Sequence, residues 1–316
     1  MVTTDTAQAD RLETELKVFT GDLPVYAFPD WETLPYDVFS PHPDIVSRRL
    51  WTLSRLPQLT EGILVVPVAN LLQRLTPRNY IAGSSLLLDV GQRLDLEATR
   101  QRLETSGYHC VPQVVEHGDF AVRGSLLDLY PTGAELPYRI DLFDDDVESI
   151  RTFDPETPLS IDKVTSVELL PAREFPFTDE AIKRFRQAWR GQFEGDPQRS
   201  QIYREVSNGI TPGGLEYYLP LFFDTTDNLF DYLPDNTLLV TPQEMDDTAD
   251  EYWKELEARY EQRRHDPERP LLPPENSISI PTNCVTTARR GSGSVNRPLK
   301  RAKRKLSTTP PLPLPP

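Results

Sequence analysis

The chain has 316 residues, 38% of them hydrophobic, and a formal net charge of −15. That length suffices for two domains with proper cores, and with no basic-capped apolar leader and no run of about 18 apolar residues the sequence predicts a soluble, cytoplasmic protein with no membrane partner. Only Cys110 and Cys284 occur, which fits a reducing compartment and excludes a disulfide framework.

In chain order, Val2–Thr4 reads as a short strand and about Ala7–Phe19 as a helix, with Leu12, Leu16 and Phe19 at i, i+4 and i+7. Val25–Phe28 is a predicted strand. The loop after it carries Asp30, Glu32 and Asp37 beside Trp31 and Tyr36, a set that invites a general acid–base reading. No His or second charged group orients these carboxylates, so the loop is read as structural. Pro29, Pro35 and Pro41 stiffen it, and Trp31, Tyr36 and Phe39 cover the strand ends. Asp44–Leu56 follows as a helix with Val46, Leu50 and Leu53 on one side. Ile63–Val66, bounded by Gly62 and Pro67, is a buried parallel-type strand. The alternation predicts an α/β layer.

From Leu86 the pattern changes to a short strand, a helix over Asp95–Ser106 closed by Gly107, and a run of strands to Leu170. His109, Cys110 and His117 fall within it, but their spacing matches no zinc pattern and a fourth ligand is missing. Residues 119–154 alternate with a period of two. Tyr138, Ile140 and Leu142 share one face; Arg139, Asp141 and Phe143 share the other, and Arg123 lies on the equivalent side of the preceding strand, before Gly124. Arginine and aromatic residues are enriched at interfaces, which makes Phe143 a candidate anchor. The competing reading is a plain β-meander in which Arg139 and Asp141 form a surface ion pair of at most about 1 kcal/mol. Asp144–Asp146 reads as a solvated turn rather than a cation site.

Beyond Asp179 a helix places Ile182, Phe185 and Trp189 at helical spacing, and a strand-like TLLV follows at 237–240. Residues 276–316 hold eight of the 34 Lys and Arg and none of the 49 Asp and Glu, leaving 26 basic against 49 acidic side chains, near −23, in the preceding 275. So acidic a body disfavours non-specific DNA binding and favours a protein partner. The tail ends in KRAKRK and PPLPLPP elements, has no apolar periodicity, and is predicted to be disordered. No Gly-Lys dipeptide occurs, so there is no Walker A loop and ATP turnover is not expected.

RGSLLDLYP followed by YRIDLFDDDVESIRTFD resembles the UvrA-interacting domain shared by UvrB and the transcription-repair coupling factors, Mfd. FPDWETLPYDVFSPHPDIVSRRLWTLSRL at 28–56, GGLEYYLPLFF at 213–223 and RPLLPPE at 269–275 resemble the flanking first domain of the coupling factors, so the resemblance covers roughly residues 1–275. It implies a truncated, helicase-like (P-loop NTPase-type) α/β layer at 1–83 and 173–275, lacking its first strand, interrupted by an α+β UvrA-interaction insert at 84–172. It further implies UvrA as partner, with Arg123, Arg139 and Phe143 as contacts and Asp141 and Asp144 as weaker ones. No cofactor is implied. RNA polymerase and DNA enter only through the further domains of a full-length member, an ATP-dependent translocase acting in transcription-coupled repair. The loss of pattern after Glu275 suggests an out-of-frame tail at 276–316, and with it the alternative of a non-functional relic or a competitor for UvrA.

Overall fold

The computed structural model describes residues 1–157 and 159–278; the tail expected to be disordered lies, beyond Ile278, outside the described residues. The chain is a mixed α/β protein. Strand β1 (Val2–Thr3), helix α1 (Thr6–Phe19), β2 (Val25–Ala27), α2 (Pro43–Arg55) and β3 (Ile63–Pro67) form its first layer. The three strands are parallel in the order β1-β3-β2, with Val2 opposite Val66 and Val25 opposite Ile63. Asp5 caps α1 by accepting from the Gln8 N–H at 2.8 Å. The expected stripe on α1 fails at its end: Ala9 and Glu13 are buried, while Phe19 is exposed. Glu13 accepts from Lys17 at 2.8 Å and from Arg48 of α2, and that pairing turns the helix so that its last apolar residue faces water.

Helix α2 has two working faces. Leu50 and Leu53 enter a core with Phe28, Val66, Leu71, Leu75, Tyr232 and Met245, each such Leu or Phe contributing about 1.5–3 kcal/mol on burial. Residues 44, 47, 51 and 55, spaced to share another face, meet the inserted region. Asp44 lies 2.6 Å from His117 Nδ1, Ser47 Oγ accepts from the Gly133 N–H at 2.8 Å, and Arg55 donates to Glu168 at 2.6 Å. Trp51 packs so closely on Gly133, whose φ is +85°, that a Cβ there would lie 2.5 Å from the indole.

After α3 (Val68–Leu72) and α4 (Arg78–Ser84), strand β4 (Leu86–Asp89) pairs antiparallel with β11 (Ser166–Leu169), bringing the two ends of the inserted region together. Between them run α5 (Leu96–Thr105), β5 (His109–Cys110), β6 (Asp119–Arg123), β7 (Leu126–Leu129), β8 (Tyr138–Phe143), β9 (Asp146–Phe153) and β10 (Ser160–Val164). Asp95 caps α5 and Gly107, at φ +94°, ends it, as the spacing predicts. The six strands form one sheet ordered β10-β9-β8-β7-β6-β5, antiparallel except at β5–β6. Its inner face buries Phe120, Leu127, Leu129, Ile140, Leu142 and Ile150 against Leu103, Leu88 and Val167.

The chain then returns through α6 (Asp179–Gln192), α7 (Gln201–Ser207), a 3-10 segment (Leu215–Phe222), α8 (Leu229–Tyr232), α9 (Met245–Arg263) and α10 (Pro274–Ser277). Phe185 and Trp189 are buried with Tyr203, Tyr218 and Phe222, as expected, and Ile182 packs at the margin. Two expectations are corrected. The TLLV segment at 237–240 is not a strand: bracketed by Pro234 and Pro242, it meets the sheet, among the described residues, through the Val2 N–H to Val240 O bond at 2.8 Å. Trp31 and Tyr36 are buried, both against the Tyr217 ring and Tyr36 also among Leu72, Leu256 and Leu271, whereas Phe39 does not cover strand ends; it is exposed. Its neighbour Ser40 is pinned to Glu216 at 2.9 Å and to the Gly214 N–H at 3.1 Å, which turns Phe39 outward.

Candidate partner-binding face

Directly opposed residues of an antiparallel ladder share a face, so the register defines the outer side of the six-stranded sheet. Arg123 lies opposite Leu126 and Leu126 opposite Asp141; Asp128 lies opposite Arg139 and Arg139 opposite Arg151. Two tight turns hold these rows. Gly124, at φ +62°, begins the β6–β7 turn, and Asp144, at φ +53°, begins the β8–β9 turn, where Asn and Asp tolerate the left-handed region best after Gly.

Arg139 is the best-ordered charge on this face. Its Nε and Nη2 donate to the two carboxylate oxygens of Asp128 at 2.7 and 2.8 Å, and its guanidinium stacks over the Phe153 ring with 4.9 Å to the centroid. The pair is largely desolvated, with side chains 18% and 7% exposed. The Asp128 hydrogen bonds raise the Arg139 pKa further above its ordinary value. The Arg139–Asp141 surface pair of the competing meander reading is not formed. Asp141 instead accepts from Ser149 Oγ at 2.8 Å and from Arg151 Nη2. Arg123 is exposed and donates to the Pro112 carbonyl. Phe143, at the end of β8, is 69% exposed, and Asp144 is exposed beside it. Beneath the loop before β6, Val114, Ala121 and Phe153 form a small second core with Tyr130 at its edge.

The structure thus brings Arg139, Asp141 and Phe143 onto one strand face with Arg123 nearby, as period-two reading predicts. Asp128, Arg151 and Phe153 belong to the same constellation and were missed. Asp128 was legible as the polar position of SLLDLY, whereas Arg151 and Phe153 depend on a register shift between β8 and β9 at Asp141–Leu142.

The other candidates separate. His117 contacts Asp44, the Ala134 carbonyl at 2.8 Å and the Tyr130 ring at 4.1 Å, while His109 lies 3.1 Å from Arg173 Nη2. Burial, then the Arg173 charge, lowers the His109 pKa. Among the described residues no group of three or more His, Cys, Asp or Glu is placed to hold a metal ion. Asp145, in the acidic turn, accepts from Arg93 at 2.8 Å. Asp30 and Asp37 accept from the Trp31 and Val38 N–H groups at 2.8 and 2.7 Å, which is turn chemistry. A cavity of about 60 Å³ lies beside Asp30, Trp31, Tyr36, Glu216 and Tyr217, room for a few waters. Burial there raises the Glu216 pKa to about 7. No helix among the described residues is long and apolar enough to cross a membrane.

Residues 86–175 match the family model of the UvrB interaction domain. The chain is 47% identical over 277 residues to the transcription-repair-coupling factor of Escherichia coli K12, covering 87% of this chain and 24% of that protein. It is 46% identical over 278 residues to that of Haemophilus influenzae, covering 87% and 24%, and 34% identical over 274 residues to that of Myxococcus xanthus, covering 81% and 23%. The chain spans about a quarter of the length of these relatives.

Proposed function

Since the chain carries a UvrB interaction domain and is homologous over most of its length to the N-terminal region of the transcription-repair-coupling factors, we propose that it binds UvrA through the outer face of its six-stranded sheet. One observation carries the reading: Phe143 stands 69% exposed at the end of the strand that also presents a rigidly paired Arg139. An exposed aromatic beside an ordered arginine supplies a hot-spot anchor and a specific charged contact at little ordering cost. Phe143 fills an apolar pocket on UvrA, Arg123 and Arg139 meet its carboxylates, and Asp141 and Asp144 border the contact.

The unit at 84–172 acts as the adaptor and the segments at 1–83 and 173–275 as its scaffold, a helicase-like layer of P-loop NTPase type that has no Gly-Lys dipeptide and turns over no ATP. In a full-length member, the contact recruits UvrA to stalled RNA polymerase in the cytoplasm, and the motor and polymerase-binding parts supply DNA translocation. The test is binding of purified UvrA to the whole chain, comparing it with an Arg139→Ala, Phe143→Ala double variant whose fold is checked by circular dichroism. Saturable binding that the folded double variant loses is the expected result; a folded parent chain that does not bind UvrA overturns the proposal.

A further inference from the structure

Away from the six-stranded sheet, the cavity of about 60 Å³ beside the loop after β2 is built from distant parts of the chain. The loop supplies Asp30, Trp31 and Tyr36, the 3-10 segment Glu216 and Tyr217, and α10 Ser277. Tyr36 is 1% exposed, yet its Oη has no hydrogen-bond partner among the described residues, and neither has the buried Oγ of Ser277. Ser277 opposes the upward push of burial on the Tyr36 phenol pKa without completing a hydrogen bond to it. Burying a hydroxyl unpaired is costly. Tyr36 also sits at φ +60°, a left-handed conformation that a bulky residue adopts only when its surroundings impose it. Here they do: Arg259 and Arg263 of α9 donate to the Pro35 and Tyr36 carbonyls at 2.7 and 2.6 Å, and Tyr217 Oη donates to the Leu34 carbonyl at 2.7 Å. Tyr36 is thus locked on the cavity wall with its hydroxyl unsatisfied.

The chemistry of the walls selects an occupant. Trp31 and Tyr217 meet edge to face with 5.4 Å between ring centroids, and Tyr36 lies 5.9 Å from Tyr217 at 39°, so rings at differing angles bound the space. The charged residues of the lining are Asp30, Glu216 and Arg74, two carboxylates against one guanidinium. Arg74 donates to the Glu275 carbonyl at 3.1 Å and to Thr226 Oγ1 at 3.4 Å. Aromatic rings and an excess of carboxylate attract a cation. At about 15 Å³ per water-sized probe, the cavity has room for roughly four heavy atoms. That is the size of a guanidinium, whose plane stacks on rings and whose several N–H donors meet several acceptors at once.

We propose that this cavity binds the guanidinium head of a small molecule, held against the Trp31, Tyr36 and Tyr217 rings, with Asp30, Glu216, Tyr36 Oη and Ser277 Oγ accepting its N–H donors. The site stands apart from the UvrA reading and ties the loop, the 3-10 segment and α10 together. Glu216 is faced by the Ser40 hydroxyl, by the charges of Glu174 and Arg173, and on the cavity wall by Asp30 and Arg74; burial dominates and raises its pKa to about 7. A bound cation favours the ionised carboxylate, so binding expels the proton that Glu216 still holds and affinity rises as pH passes 7.

The test is titration calorimetry of the whole chain with methylguanidinium, with neutral N-methylurea as the comparator of like shape. Saturable one-to-one binding with a Kd on the order of 1 mM at pH 8 is expected for methylguanidinium, and none for N-methylurea. Affinity should fall about tenfold at pH 6, where a group of pKa about 7 is ionised roughly tenfold less, and Glu216→Gln should abolish that dependence. Asp30→Asn keeps an oxygen for the Trp31 N–H and should weaken binding at least about tenfold. Tyr36→Phe should weaken it about fivefold while unfolding in urea no more readily than the parent, because the hydroxyl it removes has no partner to lose. The two substitutions are near-isosteric and lie on different residues, so a variant that fails to fold leaves the other to decide. Heat without saturation would show that the cavity holds water alone. Equal affinity for N-methylurea would show that charge is not read, and parent-like affinity in the folded variants would place the binding elsewhere on the acidic body; each of these three results overturns the proposal.

Discussion

Replacing Glu174 by Gln should unfold this protein more readily than any surface change. Glu174 and Arg49 are 1% and 0% exposed at the side chain, with Arg49 Nε donating to Glu174 Oε1 at 2.6 Å. The same oxygen accepts from Trp31 Nε1 at 3.1 Å, and Arg49 also donates to the Pro29 carbonyl at 2.7 Å and to Gln73 Oε1 at 3.0 Å. Its guanidinium lies over the rings of Phe28 and Trp31, 4.2 and 5.0 Å from their centroids. Glutamine keeps the shape but leaves a buried guanidinium without its counter-ion, and breaking a buried pair in this way costs about 3–5 kcal/mol. The remaining carbonyl, amide and ring contacts place the expected loss near 3 kcal/mol, the lower end of that range. Removing both charges, in Arg49→Met, Glu174→Leu, should recover most of it because the desolvation cost goes too. Urea unfolding at neutral pH, followed by tryptophan fluorescence, reads the difference, since Trp31 reports on the pair directly. A Glu174→Gln midpoint shift worth less than about 1 kcal/mol, or a double variant no better than the single one, would refute the reasoning.

Three further outcomes are expected. Phe143→Ala should leave unfolding within about 0.5 kcal/mol of the parent, because the ring is exposed, yet weaken UvrA binding at least about tenfold; calorimetry of both processes separates the two effects. Glu216 has a folded pKa of about 7, above its unfolded value, so its stabilising contribution is complete below the unfolded pKa and is lost as pH rises through 7. The neutral Glu216→Gln variant should therefore gain stability relative to the parent between pH 5 and pH 8, on the order of 2 kcal/mol after allowing for partial exposure, and equal pH profiles in denaturant melts would contradict this. Gly133→Ala, at φ +85° and 2.5 Å from Trp51, should cost at least about 1–2 kcal/mol and open the α2 seam to limited proteolysis, whereas an unchanged digestion pattern would show that the seam gives way without cost.

What the sequence made legible was whatever depends on one strand or one helix at a time. The faces of α2, the Asp95 and Gly107 signals around α5, and the shared side of Arg139, Asp141 and Phe143 all follow from a period of 3.6 or 2. What it hid depends on which elements become neighbours. Arg139 and Asp141 sit two apart on one strand, so their side chains start nearly 7 Å apart, whereas Asp128 stands directly across the ladder at about 5 Å; the nearer carboxylate wins, and nothing local announces it. Arg49 and Glu174 are 125 positions apart, and neither residue reads as buried on its own because charged side chains are almost never buried unpaired. Phe39 reads as core until Ser40 is known to bind Gly214 and Glu216 from a distant segment.

An arginine already held by two hydrogen bonds is still a useful contact for a partner. Asp128 occupies the Nε–Nη2 edge of Arg139 and Phe153 lies against one face of the guanidinium, which fixes the rotamer while Nη1 remains outside both carboxylate bonds. An unpaired exposed arginine would lose about 2 kcal/mol of rotamer freedom when a partner immobilised it. Here folding has already imposed that ordering, within a sheet whose other face is fully packed. The intramolecular pair and the intermolecular contact therefore reinforce rather than exclude each other, and a partner carboxylate approaching Nη1 meets a donor whose position is set before encounter.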